Sequence, residues 1–357
     1  MALQQIISEA HSHWMDGRGA ESDIAISSRL RVARNLTNLP FPHLLTQEQA
    51  EQVIGKVNAA IEKKSLKEKT GALELVRMSA LTPVERQILV EKHLISPDLL
   101  EDYQKKAVVV RDDEVLSIMI NEEDHLRIQC LLPGLQLEEA WELVDRLDDE
   151  LEATLDYAFD ERLGYLTACP TNVGTGMRAS VMLHLPGLVL VKQIKSVLAA
   201  VAKLGLTVRG LYGEGTEASG NLFQVSNQVT LGLTEEDIIT NLLSVARQLI
   251  NQERSAREAL GRENREQLED RVGRAYGLLK HARLMSSEEA MRLLSDLRLG
   301  IDLGFIKNVP ANLVNELIVL IRPAFLMKTL GKEMNSFERD AYRTQLIRRK
   351  LSAARQT

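Results

Sequence analysis

The sequence predicts an α+β fold in which a mixed region of helices and strands precedes an all-helical one. Three observations carry this reading. Short apolar runs alternate with helical patterns and glycine turns up to about residue 230, helix starts are marked by capping sequences, and from about Thr234 the strand signals stop. Along the chain, SSRLRVAR (27–34) places Arg29 and Arg31 two apart, which on a strand points both side chains to one face. Thr46 has Gln49 three residues on, and Thr82 has Pro83 at the first helical position and Glu85 at the third, so a helix starts after each. AVVV (107–110), VLSIMI (115–120) and LHLPGLVL (183–190) are apolar runs of strand length, and Leu126, Ile128 and Cys130 alternate with Arg127 and Gln129. Beyond them, the charged helix TEEDIITNLLSVARQLINQERSAREAL leads into helices broken at Ser286, at Asn308-Val309-Pro310 and near Gly331. A chain of 357 residues is long for one ordinary core, and the change of texture divides it near residue 256, into 1–256 and 257–357.

Composition narrows the function classes. At 45% hydrophobic and 26% charged, the chain has enough apolar residues to fold as a globule rather than remain disordered. A formal net charge of -6 gives no overall electrostatic case for nucleic acid. Two cysteines, Cys130 and Cys169, make neither a disulfide framework nor a zinc-site spacing. The start, MALQQIISEAHSHW, lacks a basic segment followed by an apolar one, and no apolar run is long enough to span a bilayer. A reducing cytoplasm, with no membrane partner, is the expected setting.

Four stretches concentrate the chemistry: SSRLRVAR; INEEDHLRIQC (120–130), with Glu122, Glu123 and Asp124 against His125 and Arg127; CPTNVGTGMRAS (169–180); and RGLYGEGTEASG (209–220), with Arg209 and Glu214. The third has the glycines, hydroxyls and cation of a phosphate loop, yet it lacks the Gly-Lys-Ser/Thr ending and fits no dinucleotide fingerprint. Taken singly, an arginine pair on a strand reads as a solvated face, NEEDH as a charged turn, a lone cysteine as a small hydrophobe and the glycine-rich loop as a surface turn. Together they suit transfer of a phosphoryl group from ATP to a guanidinium. A triphosphate needs a cage of fixed positive charge, which the arginine fork meets bidentately. A guanidinium acceptor, with a pKa of about 12.5 or more, needs acids to bind it, orient one nitrogen and take its proton. A thiolate beside it adds a further negative partner.

On these four stretches the sequence closely resembles the ATP:guanido phosphotransferases, the creatine and arginine kinase family, over roughly residues 20–256. The resemblance implies an antiparallel sheet flanked by helices, ATP as phosphoryl donor and Mg²⁺ held through ATP. Around the five caging arginines, Arg29, Arg31, Arg127, Arg178 and Arg209, it implies nucleotide contacts from Ser27, Ser28 and Leu30, from His93 in EKHLISP, from Ala179, Ser180, Val181 and Met182, and from Gly210, Leu211, Tyr212 and Gly213. Glu123 matches the family's catalytic carboxylate, with Glu122 beside it. Glu214 matches the second acid of arginine-using members, and Cys169 the cysteine that contacts the guanidinium.

The sequence also departs from the small-molecule members. They carry a helical domain before the SSR box, where only residues 1–26 stand here. Met182 stands where a nucleotide-contacting histidine is common, and Tyr212 where arginine kinases tend to carry an arginine. An open acceptor side implies a large acceptor, such as an arginine side chain on a protein. With the helical C-terminal region, this looks like the bacterial protein-arginine kinases of the stress response. That likeness implies a dimer, a co-encoded activator protein, a heat-shock repressor among the substrates, and marking of proteins for the Clp ATPase and protease. It also implies a phosphoarginine pocket in the C-terminal region, where FERDAYRT offers Arg339, Asp340 and Arg343, with Thr344 where the motif ends in alanine. A kinase for free arginine and a non-catalytic adaptor are the competing expectations.

Overall fold

The computed structural model describes residues 2–210 and 218–354. Ten strands are formed among them: β1 (Ala25–Arg34), β2 (Leu73–Arg77), β3 (Ala107–Arg111), β4 (Leu116–Ile120), β5 (Leu126–Pro133), β6 (Phe159–Asp160), β7 (Gly164–Tyr165), β8 (Met177–His184), β9 (Leu206–Gly210) and β10 (Leu222–Asn227). Eight of them make one antiparallel sheet in the order β2-β3-β4-β5-β1-β8-β10-β9, while β6 and β7 form a separate hairpin. SSRLRVAR thus lies on β1 in the middle of the sheet, between β5 and β8.

Alternation along β1 assigns its side chains to two faces. Leu30 and Val32 join Cys130, Ala179 and Val181 in a core covered by the helices Gln47–Ile61, Leu137–Glu152 and Glu235–Glu263. The opposite face carries the arginines, and at one end it is closed by a second core. There Leu131, Met182 and Leu222 of the sheet pack with Ile88 and with Leu294, Leu317 and Phe325 of the C-terminal helices. Apolar packing therefore crosses residue 256, and Glu235–Glu263 runs through that point as one helix. A buried carboxylate fastens the same junction: Glu91 accepts hydrogen bonds from the backbone N–H groups of Ala324 and Phe325, at the start of helix Pro323–Leu330.

The marked helix starts form as expected. Thr46 with Gln49 and Thr82 with Glu85 are reciprocal capping boxes, Ser286 caps Ser287–Asp302, Pro310 precedes Ala311–Leu320, and Gly331 ends Pro323–Leu330 in the left-handed region. LHLPGLVL differs. Leu183 and His184 finish β8, but Pro186–Leu190 is a turn of helix, because Pro186 occupies its first position and the buried Glu253 accepts from Gly187 N at 2.8 Å and Leu188 N at 2.9 Å.

Candidate functional site

Antiparallel register brings together on one face what the sequence scatters. Arg29 lies opposite Ser180, Arg31 lies between Gln129 and Arg178, and Arg127 lies opposite Ala33. Arg209, exposed on the edge strand β9, faces Gln224 of β10, which in turn faces Met182. Five guanidinium groups from four strands thus share one surface. Burial, joined by the charges of Arg29, Arg127 and Arg178, lowers the pKa of Arg31 well below the guanidinium range, with Glu122 offsetting part of this. Burial and the charges of Arg209 and Arg127 lower Arg178 likewise. The Nε atoms of Arg31 and Arg178 are buried without a hydrogen-bond partner. Two unsatisfied donors among crowded like charges are the donor set that a phosphate chain completes.

The neighbours of this cluster hold it in shape. Arg29 donates to Gln224 Oε1 at 2.7 Å, and Arg178 reaches Ser226 Oγ at 3.4 Å. Both partners were legible as the polar positions of LFQVSN, which alternate with Phe223 and Val225 on β10. Glu122 is buried and accepts from Arg127 Nη1 at 2.8 and 2.5 Å and from the Ser96 hydroxyl. Burial opposes its ionisation, but Arg127 and Ser96 prevail and hold it below the usual carboxylate range. His93 is pushed down to about 3 by burial and then by Arg29 and Arg322, so its imidazole is neutral beside the arginines.

The NEEDH turn divides its work. Asn121 donates to the carbonyls of Ala50 and Lys105, at 3.2 and 2.9 Å. His125 accepts from Leu36 N through Nδ1 at 3.0 Å, which leaves Nε2 to donate to Pro40 O at 3.0 Å. Asp124 accepts from Asn35 Nδ2 at 2.6 Å and from Ala168 N at 2.7 Å, so one buried carboxylate ties this turn to the end of β1 and to the residue before Cys169. Glu123 alone is exposed. Desolvation and the neighbouring Asp124 raise its pKa above the carboxylate value, with Arg127 opposing. Because Glu123 and Cys169 both act on Arg178, this carboxylate and this thiol each lie within electrostatic reach of that arginine.

Cys169 is half-exposed at the head of its loop, its Sγ 3.0 Å from Thr171 Oγ1. Cys130, by contrast, is buried in β5, and desolvation lifts it to about 12, which leaves it inert. Two of the loop's glycines are required by the fold. Gly174 and Gly176 have φ of 113° and 65°, and a Cβ on them would stand 2.7 Å from Thr230 O and from Ala33 O respectively. They let the loop lie flat against β1 and the turn after β10.

Of the other expected nucleotide contacts, Ser180 and Ser27 lie on the arginine face, and Met182 there packs into the second core. Leu30, Ala179 and Val181 point into the opposite core. Ser28 points the same way, donating to Gly134 O and accepting from Gln136 N, both at 2.9 Å. Side-chain contact with a nucleotide on the arginine face is therefore open to the first set and not to the second. Gly210 ends β9, while Leu211, Tyr212, Gly213 and Glu214 lie outside the described residues.

In the C-terminal helix Ser336–Ala353, Arg343 is buried and donates to Ile321 O at 3.0 Å, Met285 O at 2.7 Å and Asp340 Oδ1 at 2.5 Å. Thr344 is also buried, donating to Arg283 O and Ala341 O at 2.8 and 2.7 Å. Arg339, half-buried one turn before Arg343 on the same helix, donates to Met334 O at 3.1 Å.

Comparison with known proteins agrees with this geometry. A family model described as the ATP:guanido phosphotransferase C-terminal catalytic domain matches residues 52–256, and one described as the protein-arginine kinase McsB C-terminal domain matches residues 265–357. A protein-arginine kinase of Pelotomaculum thermopropionicum is 63% identical over 352 residues, 99% of each chain. One of Geobacillus stearothermophilus is 53% identical over 351 residues, 98% of this chain and 96% of the relative. Among solved structures, the duplicated taurocyamine kinase of Schistosoma mansoni with bound transition state analog components superimposes with a TM-score of 0.59 at 26% identity, over 69% of this chain and 35% of that one. With one catalytic-domain model covering more than half of its length and relatives identical at more than half of its positions, the chain belongs to the ATP:guanido phosphotransferases and, within them, to the protein-arginine kinases.

Proposed function

We propose that this chain transfers the γ-phosphoryl group of ATP to guanidinium nitrogens of arginine side chains in proteins. The observation that carries the proposal is a guanidinium cluster on one sheet face, with two orphaned Nε donors, and at its Arg178 both an exposed carboxylate, Glu123, and the thiol of Cys169. Arg29, Arg31, Arg127, Arg178 and Arg209 hold the triphosphate and the equatorial oxygens of the moving group. Neutral His93 and Ser180 border the same surface. Glu123 and Cys169 bind the acceptor guanidinium, with Glu214 as a second acid. As the Nη–P bond forms, the bond from the γ-phosphorus to the bridging oxygen breaks and its electron pair leaves with ADP. The Nη proton passes to the Glu123 carboxylate. The donors facing the phosphates are nitrogens, and Glu122 is taken up by Arg127 and Ser96, so Mg²⁺ would be carried by the phosphate oxygens and would neutralise their charge. Incubation of an arginine-rich protein with ATP, followed by mass spectrometry at neutral pH, should show acid-labile phosphate on arginine. Turnover of free L-arginine at a rate comparable to protein would replace this reading with that of a small-molecule kinase.

The wider role follows the likeness to the protein-arginine kinases. In it a homodimer in the cytoplasm, assisted by a co-encoded activator protein, phosphorylates arginines of many proteins during stress, inactivating a heat-shock repressor and marking clients for the Clp ATPase and protease. Phosphoarginine itself activates the enzyme at Arg339, Asp340, Arg343 and Thr344. Here Arg343 is the buried anchor of that pocket and Arg339 its more accessible cation, a division supported by their hydrogen bonds. Arg339→Ala combined with Asp340→Ala should therefore leave basal phosphorylation intact and remove stimulation by phosphoarginine peptides in a kinase assay. Stimulation equal to the parent's would place the pocket elsewhere.

A further inference from the structure

A protein acceptor must be held by more than its guanidinium, and exposed apolar side chains gather on one surface continuous with the Cys169 loop. Five of the eleven large apolar side chains exposed among the described residues fall in two short segments: Phe159 (57%) and Leu163 (46%) on the β6–β7 hairpin, and Val229 (49%), Leu231 (51%) and Leu233 (42%) after β10. Distant in sequence, the two segments meet through the cysteine loop. Tyr165 N donates to Gly174 O at 2.8 Å, and Gly164 and Gly174 lie so close that a Cβ on Gly164 would stand 2.6 Å from Gly174 O. On the other side, Thr230 Oγ1 donates to Thr171 O at 2.9 Å and to Val173 O at 2.7 Å, and the Cα of Leu231 would stand 2.9 Å from a Cβ on Gly174. The apolar side chains are thus displayed on a pinned backbone. The Phe159 ring is further fixed edge-on against Tyr165, with centroids 5.2 Å apart.

The surroundings of this patch are acidic. Asp156, Asp160 and Glu161 stand on or beside the hairpin, and Glu235 and Glu236 open the helix that follows Leu233; Arg162 is the one cation of the hairpin itself, Arg34 beneath Tyr165 is paired with Asp148, and Lys63 reaches Thr154 nearby. Glu235 acts on both Tyr165 and Asp145, which places it at the hairpin. An apolar patch with an anionic rim, continuous with the loop that presents Cys169, fits one kind of occupant. Resting on the kinase reading above, we propose that the surface of Phe159, Leu163, Val229, Leu231 and Leu233 is a docking site for the polypeptide flanking the acceptor arginine, selecting segments whose neighbouring residues are apolar and basic. Affinity comes from apolar burial beside the acceptor, and the rim raises the encounter rate of cationic segments and rejects acidic ones.

The test uses the full chain and three acceptors: a peptide with one arginine flanked by leucine and lysine, a peptide of equal length with the arginine flanked by glycine and serine, and N-acetyl-arginine methylamide. The parent should favour the leucine-lysine peptide in kcat/KM by about tenfold, one well-buried apolar anchor on the interface scale. Phe159→Ser with Leu231→Ser should erase that preference through KM and leave the methylamide rate unchanged. Glu161→Lys with Glu236→Lys should weaken it and reduce its salt dependence. All four positions are exposed, so these variants keep the fold. Variants that keep the parent's preference overturn the docking site while leaving the kinase intact. A variant whose mass by light scattering falls to that of a smaller assembly, with the preference unchanged, assigns the patch to self-association instead and likewise overturns it. A parent that phosphorylates none of the three acceptors overturns the kinase reading and the docking site together.

Discussion

Glu123→Gln is expected to lower kcat by a factor of about 10²–10⁴, the usual contribution of a positioned general base, with ATP affinity unchanged. The glutamine keeps the shape of a side chain that is exposed and bears no structural load, so a loss of rate would be chemical. The pH dependence has a definite sign. A base must be ionised to act, and partial desolvation with Asp124 nearby raises the pKa of Glu123 above the ordinary glutamate value. In the parent, kcat/KM should therefore fall on the acid side through a pKa higher than that of an ordinary glutamate, and the residual rate of the variant should lack that limb. A variant as fast as the parent would remove Glu123 from the mechanism.

Arg31→Met and Arg34→Met, three residues apart on one strand, should fail in opposite ways. Arg34 is buried on the helix-covered face. It bonds Asp148 at 2.9 and 2.6 Å, donates to the carbonyls of Ala33 and Thr175, both at 2.9 Å, and stacks 3.4 Å from the Tyr165 ring centroid. Removing it leaves Asp148 charged and alone in the interior, at a cost of about 3–5 kcal/mol, read as a shift in the denaturation midpoint. Arg31 has a buried Nε without a partner and three like charges as neighbours. Its loss should leave stability equal or higher while it weakens ATP binding by about 1.5–3 kcal/mol, the worth of a hydrogen bond to a charged group. If Arg31→Met unfolds the protein, the cluster is structural and not a phosphate site.

The same pair shows what was legible in the sequence. Alternation assigns Arg29 and Arg31 to one face, and the sheet places Arg127 and Arg178 on that same face. That Arg34 lies on the other face is equally readable, but its partner Asp148 stands 114 positions away on a helix, and no local pattern announces the bond. NEEDH is recognisable as a charged turn. The division of its acids into an exposed carboxylate, a buried partner for Arg127 and a tether depends on contacts with Asn35, Ser96 and Ala168. The glycines of CPTNVGTGMRAS read locally as those of a phosphate loop, and no local pattern announces that the backbone there closes on Thr230 and Ala33. LHLPGLVL was obscured in the same way, since its helical turn is capped by Glu253, 66 positions from Gly187.

Gathering guanidinium groups on β1, β5 and β8 also bears on folding. In the unfolded chain these charges are far apart and hydrated, whereas in the native sheet they crowd one another and two donors lose their water. The native state is therefore penalised by its own arginine cluster until a polyanion offsets the repulsion. Sulfate, inorganic phosphate and nucleotides should act on this protein as folding agents as well as ligands, with stability rising with their concentration as mass action requires. Its thermal midpoint becomes as much a property of the buffer anion as of the chain.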